Sequence, residues 1–278
     1  MKKSDIFRIA TLKGPSSMAM AHLPDCLERR GGVCVDISSF DEPVKLRAQL
    51  MAGDVDFAVL PTTMSALLYN NGIDYRIAAV IVWGSLFLCG NDVEVRTFRD
   101  LKGRRVSLMA AGTPPDLTFR HLMKRNGLPP EDVALDYSFS GHTGLADAAG
   151  DGLTDFCVLA EPYISQVTAR NKAMLPLLDL SLEWNRVEGM MPAETAFLCR
   201  GDLAVKFPSA VVEMVKALKE SACEELRAPE GGVNADHLHF DVASGEDAGE
   251  RIFSYLKIFH EEFPAAIGGR LPDGDFVL

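Results

Sequence analysis

Two stretches decide the architecture: AGDVDFAVLPTTMS at residues 52–65 and GDGLTDFCVLAEPYIS at residues 150–165. Each passes through a Gly/Asp turn into an Asp-Phe pair, an apolar run of strand length, and a turn containing Pro. A short apolar run bounded by turn signals reads as a buried strand, and a Pro just beyond it suits the start of a helix. Asp155–Phe156 stand 99 residues beyond Asp56–Phe57, and Gly112 stands 98 beyond Gly14. Two separate features with nearly one offset indicate an internal repeat, a lobe plan written twice.

Outward from these stretches the chain alternates strands and helices. In the first pass the strands are Phe7–Leu12, Val33–Ile37, Val55–Leu60 and Arg76–Val82. Helices are expected over Met18–Arg30, capped by Gly31-Gly32, over Glu42–Met51, and from Pro61-Thr62-Thr63 through Tyr69. In the second pass the strands are Arg105–Met109, Val133–Tyr137, Asp155–Leu159 and Leu175–Leu180. Helices follow Gly112–Pro115 and Glu161-Pro162, and one contains Leu145–Ala149. The tail adds a strand at Thr195–Cys199 and helices over Pro208–Leu226 and Glu246–Phe263.

This alternation signifies an α/β protein with mostly parallel sheets. The expected organisation is two similar Rossmann-like lobes joined by a two-crossing hinge. Residues 1–89 and 193–278 form lobe 1, including the C-terminal helices, and residues 90–192 form lobe 2. Ligands of such sheets bind outside the carboxyl ends of the strands, where helix N-termini leave N–H groups free. The repeat therefore singles out four equivalent turns: Lys13–Ser17, Pro61–Thr63, Ala111–Pro114 and Ala160–Pro162.

Composition narrows the function. Of 278 residues, 47% are hydrophobic and 24% charged, enough apolar surface for real cores. The net charge of -11 argues against nucleic acid, which needs clustered Lys and Arg. No run approaches the roughly 18 apolar residues of a membrane helix. The start Met1–Asp5 is briefly basic, without the apolar core or small-residue cleavage site of a secretion signal. Cys34, Cys89, Cys157 and Cys199 lie in apolar runs and read as buried thiols, with a Cys89–Cys199 pair as the sharper alternative. His237-x-His239 is the only close histidine pair. Two such groups do not make a metal site, and a surface loop is the expected setting.

Several motifs carry a family resemblance: LKGPSSM, LMAGDVDFAVLPTTMSALLYNNG, DLKGRRVSLMAAGTPPDLTFRHLMKRNGL, DFCVLAEPYIS and AIGGRLPDGDFVL. In order and spacing the chain resembles the solute-binding proteins of ABC importers, of the nitrate, sulfonate, taurine and thiamine-pyrimidine-precursor type. The resemblance implies the type II periplasmic binding protein fold. It also implies a receptor that captures a sulfonate-, nitrate- or pyrimidine-like ligand in an interlobe cleft by hinge closure and presents it to an ABC permease. A non-enzymatic monomer is expected, without cofactor, metal or nucleic acid, in a periplasmic or other extracytoplasmic setting. The visible start shows no signal, so a cytoplasmic biosynthetic enzyme on the same fold, of menaquinone-precursor or thiamine-pyrimidine type, is carried as the alternative.

The candidate contacts come from the four turns. Lys13, Gly14, Ser16 and Ser17 suit an anion cradle at a helix start, or an ordinary capped loop. Of Thr62 and Thr63, one is expected to cap the helix and the other to face ligand. Gly112 and Thr113 read as the second lobe's donor turn, or as a cap before Pro114. Glu161 either reads a ligand N–H or cation, or offsets the helix macrodipole. Trp83 either stacks on a planar ligand or fills the core.

Overall fold

The computed structural model describes residues 6–31, 33–41, 43–139 and 141–278. The basic start Met1–Asp5, Gly32 of the glycine pair, and Glu42 at the expected start of a helix lie outside the described residues. The chain divides into two compact units. Unit 1 comprises the residues up to Trp83 with Ala193–Glu230 and Leu238–Leu278, and unit 2 comprises Gly84–Pro192 with Gly231–His237.

Unit 1 is built on a six-stranded sheet. Its strands are β1 (Ile6–Leu12), β2 (Cys34–Phe40), β3 (Phe57–Pro61), β4 (Tyr75–Val82), β10 (Thr195–Arg200) and β11 (Phe240–Ala243), in the order β11-β4-β10-β3-β1-β2. β1 pairs in parallel with β2 and β3. β10 is inserted antiparallel between β3 and β4, so β4 runs in the same direction as β3. The unbroken apolar run of β3 is buried at Phe57, Ala58, Val59 and Leu60, as a central strand covered on both faces requires. Phe57 meets the ring of Phe7 edge-on and stacks on Phe197 at 5.3 Å, tying β1, β3 and β10 together.

The helices of unit 1 are α1 (Pro15–Met18), α2 (Leu23–Arg29), α3 (Pro43–Ala52), α4 (Thr62–Asn70), α9 (Gly201–Lys206), α10 (Pro208–Arg227) and α11 (Glu246–Glu262). The continuous helix expected over Met18–Arg30 is instead α1 and α2 separated by turns. Pro24 explains the break: lacking an N–H and clashing with the preceding turn, it is accommodated in the first turn of a new helix. α10 lies along this break. The Ser221 hydroxyl donates to the Ala19 carbonyl at 2.9 Å, and Arg30 pairs with Glu213 at 2.9 Å.

Unit 2 carries a five-stranded sheet of β5 (Leu86–Gly90), β6 (Arg105–Ser107), β7 (Ala134–Asp136), β8 (Phe156–Ala160) and β9 (Leu175–Asp179), in the order β7-β6-β8-β5-β9. β6 pairs in parallel with β7 and β8, and β5 is antiparallel to β8 and β9. Helices α5 (Pro114–Arg125), α6 (Gly141–Gly150), α7 (Tyr163–Arg170) and α8 (Leu180–Glu188) complete it. Leu86–Gly90 belongs to this sheet, so the chain enters unit 2 at Gly84 and not after residue 89. Gly84 has φ 125, and a side chain there would collide with Ser181. The segment Gly231–His237, read from sequence as part of lobe 1, also packs in unit 2.

The two sheets repeat one order. β2-β1-β3-β10-β4 corresponds to β7-β6-β8-β5-β9, with the reversed strand in the same place. Each reversed strand is the first strand after the chain passes from one unit to the other. Cys89 on β5 and Cys199 on β10 therefore lie in different sheets, and all six cysteines are free. Cys89 sits opposite Cys157 on β8 instead. Cys34 is exposed, because β2 is the sheet edge and its side chains alternate toward solvent.

Candidate functional site

In unit 1 the turns after β1 and β3 are brought side by side by the parallel pairing of Thr11 with Val59. Gly14 takes φ 109, and its carbonyl accepts from the N–H groups of Ser17 and Met18 at 3.1 Å and from the Ser17 hydroxyl at 2.9 Å. Ser16 is buried. Lys13 is exposed and engaged with Asp41 at 2.9 Å, so its charge is already answered.

Thr62 and Thr63 are both buried in the first turn of α4. The expected threonine cap is not there: Pro61 holds the cap position, and no side chain caps the helix. The Pro61 conformation of a preceding strand, φ -51 and ψ 135, places both threonines inside the helix. Thr62 N–H donates to the Glu194 carbonyl at 2.9 Å, but its hydroxyl is fully buried without a partner. Such a hydroxyl costs about 1–3 kcal/mol unless something bonds to it.

Trp83 follows β4. It is 3% exposed, its indole N–H donates to the Asp241 carbonyl at 2.6 Å, and the Arg251 guanidinium lies 3.5 Å from its ring centre. One face of the ring is thereby occupied by a cation–π contact.

In unit 2 the turns after β6 and β8 are likewise neighbours, with Ser107 paired to Cys157. Gly112 N–H donates to the Asp116 carboxylate at 2.8 Å, and the Thr113 hydroxyl donates to the Ala110 carbonyl at 2.7 Å. Asp116 is itself buried and bonded to Arg120 at 2.8 Å and Tyr137 at 2.6 Å. Burial, reinforced by that carboxylate, pushes the Tyr137 phenol up to about 12. Of the donors expected to meet a ligand anion, Gly112 N–H meets the internal Asp116 carboxylate and the Thr113 hydroxyl meets a backbone carbonyl.

Glu161 is fully buried at the end of β8. Its Oε2 accepts from the Ser165 N–H at 3.1 Å, and its Oε1 accepts from the Ser165 hydroxyl at 2.9 Å and bonds His237 Nδ1 at 2.6 Å. The first bond is the helix-start role. The last is one that sequence reading missed. His237 lies in a short 3-10 turn, Ala235–His237, within a loop whose Asn234 and Asp236 are exposed as expected, yet its own side chain is only 14% exposed. It is docked by Phe87, whose ring centre is 4.6 Å away. No sequence signal joins residues 76 positions apart. Asp116, by contrast, was open to detection as an acidic residue in the first turn of a helix.

Two further aromatics pack against histidines. Trp184 is fully buried against His121 at 4.5 Å, and Tyr163 stacks on His142 at 5.4 Å. A groove of about 740 Å³ in unit 2, lined by Arg96, Arg99, Lys124, Arg125 and Arg186, lies at the far end of α5 from Thr113, roughly 18 Å along the helix. Among the described residues no group of three or more His, Cys, Asp or Glu is placed to hold a metal, and no helix is long and apolar enough to cross a membrane.

Sheet order and paired turns at the carboxyl ends of parallel strands define the type II periplasmic binding protein fold. An ABC transporter structure from Parabacteroides distasonis matches with TM-score 0.83 and 25% identity over 98% of both chains. The periplasmic aliphatic sulphonate binding protein SsuA of Escherichia coli matches with TM-score 0.74 and 17% identity, over 98% of this chain and 95% of that one. The periplasmic nitrate-binding protein NrtA of Synechocystis PCC 6803 matches with TM-score 0.60 and 14% identity, over 84% and 69%. At their identities the last two show shared fold. No curated protein sequence matches. Residues 29–231 match the NMT1/THI5 like family model, and the chain belongs to that family.

Proposed function

We propose that this protein is the solute-binding receptor of an ABC importer. It takes a small organic or oxyanionic ligand, sulfonate-, nitrate- or pyrimidine-like, between its two units by hinge closure. It then presents that ligand to a membrane permease on the extracytoplasmic side, acting as a monomer without catalysis. The observation that supports the reading best is the Thr62 hydroxyl. It is buried, unpartnered and at the carboxyl end of a parallel strand, where this fold meets ligands. Gly14, Ser16, Ser17 and Thr63 surround the same end of the unit 1 sheet, and Thr113 and Glu161 hold the matching end in unit 2. Lys13, Trp83 and Gly112 are engaged with Asp41, Asp241 and Asp116, and contribute through those contacts.

Thermal-shift and calorimetric titration with ethanesulfonate, nitrate and 4-aminopyrimidine tests the proposal, because a ligand bound only by the folded state raises Tm. One probe is expected to bind, and Thr62→Val to weaken it about tenfold without lowering the Tm of the free protein. If no probe binds, or if Thr62→Val binds normally while Tm falls, the receptor reading fails at this residue and packing explains it.

A further inference from the structure

We infer that His237 is the residue through which unit 2 reads its ligand, offering a bare ring nitrogen, Nε2, as acceptor to an N–H group of a small planar amine. This rests on the receptor reading above and adds a residue that reading lacks. His237 lies beyond the residues 29–231 that the family model matches.

The hydrogen bonds decide where the ring proton sits. Glu161 is an acceptor on which three donors converge: Ser165 N–H, Ser165 O–H and His237 Nδ1–H. The imidazole proton is therefore on Nδ1. On the other side of the ring, Asn234 Nδ2 lies 3.2 Å from Nε2. The Asn234 amide is oriented by its own oxygen, which accepts the Asp236 N–H at 3.1 Å. An amide nitrogen only donates, so Nε2 accepts and carries no proton. A carboxylate behind one ring nitrogen setting the state of the other is a general way to hold a histidine ready for a partner.

Three further features make Nε2 the displaceable side. Asn234 is exposed, whereas Glu161 is sealed. The backbone N–H of Asn234 is held by the Ser165 hydroxyl oxygen at 3.3 Å, so the segment stays in place when the amide swings away. Phe87 packs against the imidazole at 4.6 Å and keeps its plane. A ligand N–H replaces the Asn234 N–H at Nε2 without loss of a bond. A sulfonate or nitrate brings no hydrogen, and meets a lone pair with a carboxylate behind it, so this side selects against oxyanions.

Side-chain nitrogen NMR of the wild type near pH 7.5 tests the assignment directly. The expected spectrum has His237 protonated on Nδ1 and bare on Nε2, with the Nε2 resonance moving when 4-aminopyrimidine is added. A proton on Nε2 overturns the inference whatever binds. Calorimetry then compares 4-aminopyrimidine, its N,N-dimethyl form, which keeps the ring but has no N–H, and ethanesulfonate. Loss of the N–H and the substitution His237→Ala are each expected to weaken binding at least tenfold. Asn234→Ala is expected to tighten it, because no donor competes for Nε2. Binding of ethanesulfonate that requires Thr62 but not His237 removes this inference and leaves the receptor reading standing. Absence of binding by every probe removes both.

Discussion

The turn after β3 and the turn after β8 hold the same place in two sheets of one strand order, yet their polar groups are in opposite conditions. In unit 1 the Thr62 hydroxyl is buried and bonded to nothing. In unit 2 the Glu161 carboxylate is buried and bonded three times. One plan thus gives a turn with an unmet hydroxyl and a turn whose carboxylate is met from within. The repeated strand order fixes where each turn falls, while its side chains decide which partners its polar groups meet.

The largest expected effects test that contrast. Glu161→Leu leaves three part-buried donors without their acceptor and is expected to lower unfolding stability by about 2 kcal/mol in denaturant titration. Thr62→Val, nearly isosteric, removes a group that has no partner, and its stability is expected to stay within about 1 kcal/mol of wild type. Equal costs for the two substitutions would dissolve the difference between the turns.

The ends of β4 and β9 offer a milder pair. Trp83→Phe forfeits the bond to the Asp241 carbonyl and part of the contact with Arg251, an expected loss of about 1.5 kcal/mol. At the corresponding end of β9, Asp179 caps α8 by accepting from Ser181 and Leu182 N–H groups at 2.8 and 3.1 Å. Asp179→Ala is expected to cost about 1 kcal/mol. If Trp83→Phe is silent in stability but weakens ligand binding, Trp83 acts as a ligand contact and its core role is secondary.

A pH effect is expected at His142 in unit 2. Burial pushes the His142 imidazole below its ordinary 6.5, and its ring stacks on Tyr163. Below that value the unfolded chain takes up a proton that the folded one refuses, so stability present at neutral pH drains away as pH falls. Denaturant midpoints at pH 7.5 and 5.5 are expected to differ less in His142→Phe than in wild type. An unchanged difference would assign the acid sensitivity elsewhere.

The smallest expected signal is chemical. Cys34 and Cys223, both in unit 1, are exposed, and unit 2 has only the buried Cys89 and Cys157. Burial also raises the Cys199 thiol to about 12. A thiol reagent on the native protein is expected to label Cys34 and Cys223 quickly and the others slowly. Fast labelling at Cys157 would show that the unit 2 sheet opens more readily than its packing implies.

Much of this molecule was legible in the chain itself. The strands β1, β3, β6 and β8 announce themselves by apolar runs and bounding turns, and the common offset of Asp56–Phe57 and Gly14 from their counterparts reveals the repeat. Those signals are local, and local patterning survives folding. Pro24 was equally visible, and its weight against a continuous helix is a rule of backbone chemistry. The exposed state of Cys34 was not visible, because an edge strand and a central strand read alike until their neighbours are known.

The amino-acid sequence by itself determined the doubled α/β plan and the four turns, which follow from periodicity, turn chemistry and spacing, and it carried the motifs by which the chain resembles its family. Only the tertiary structure decided that β5 and β10 enter their sheets reversed, that Asp116 answers the Gly112 N–H, and that His237 rests on Glu161. Each of these joins groups distant in the chain, or settles which of several possible acceptors a donor meets. Such pairings are chosen by burial, where an unmet polar group is costly, and burial exists only once the chain has folded.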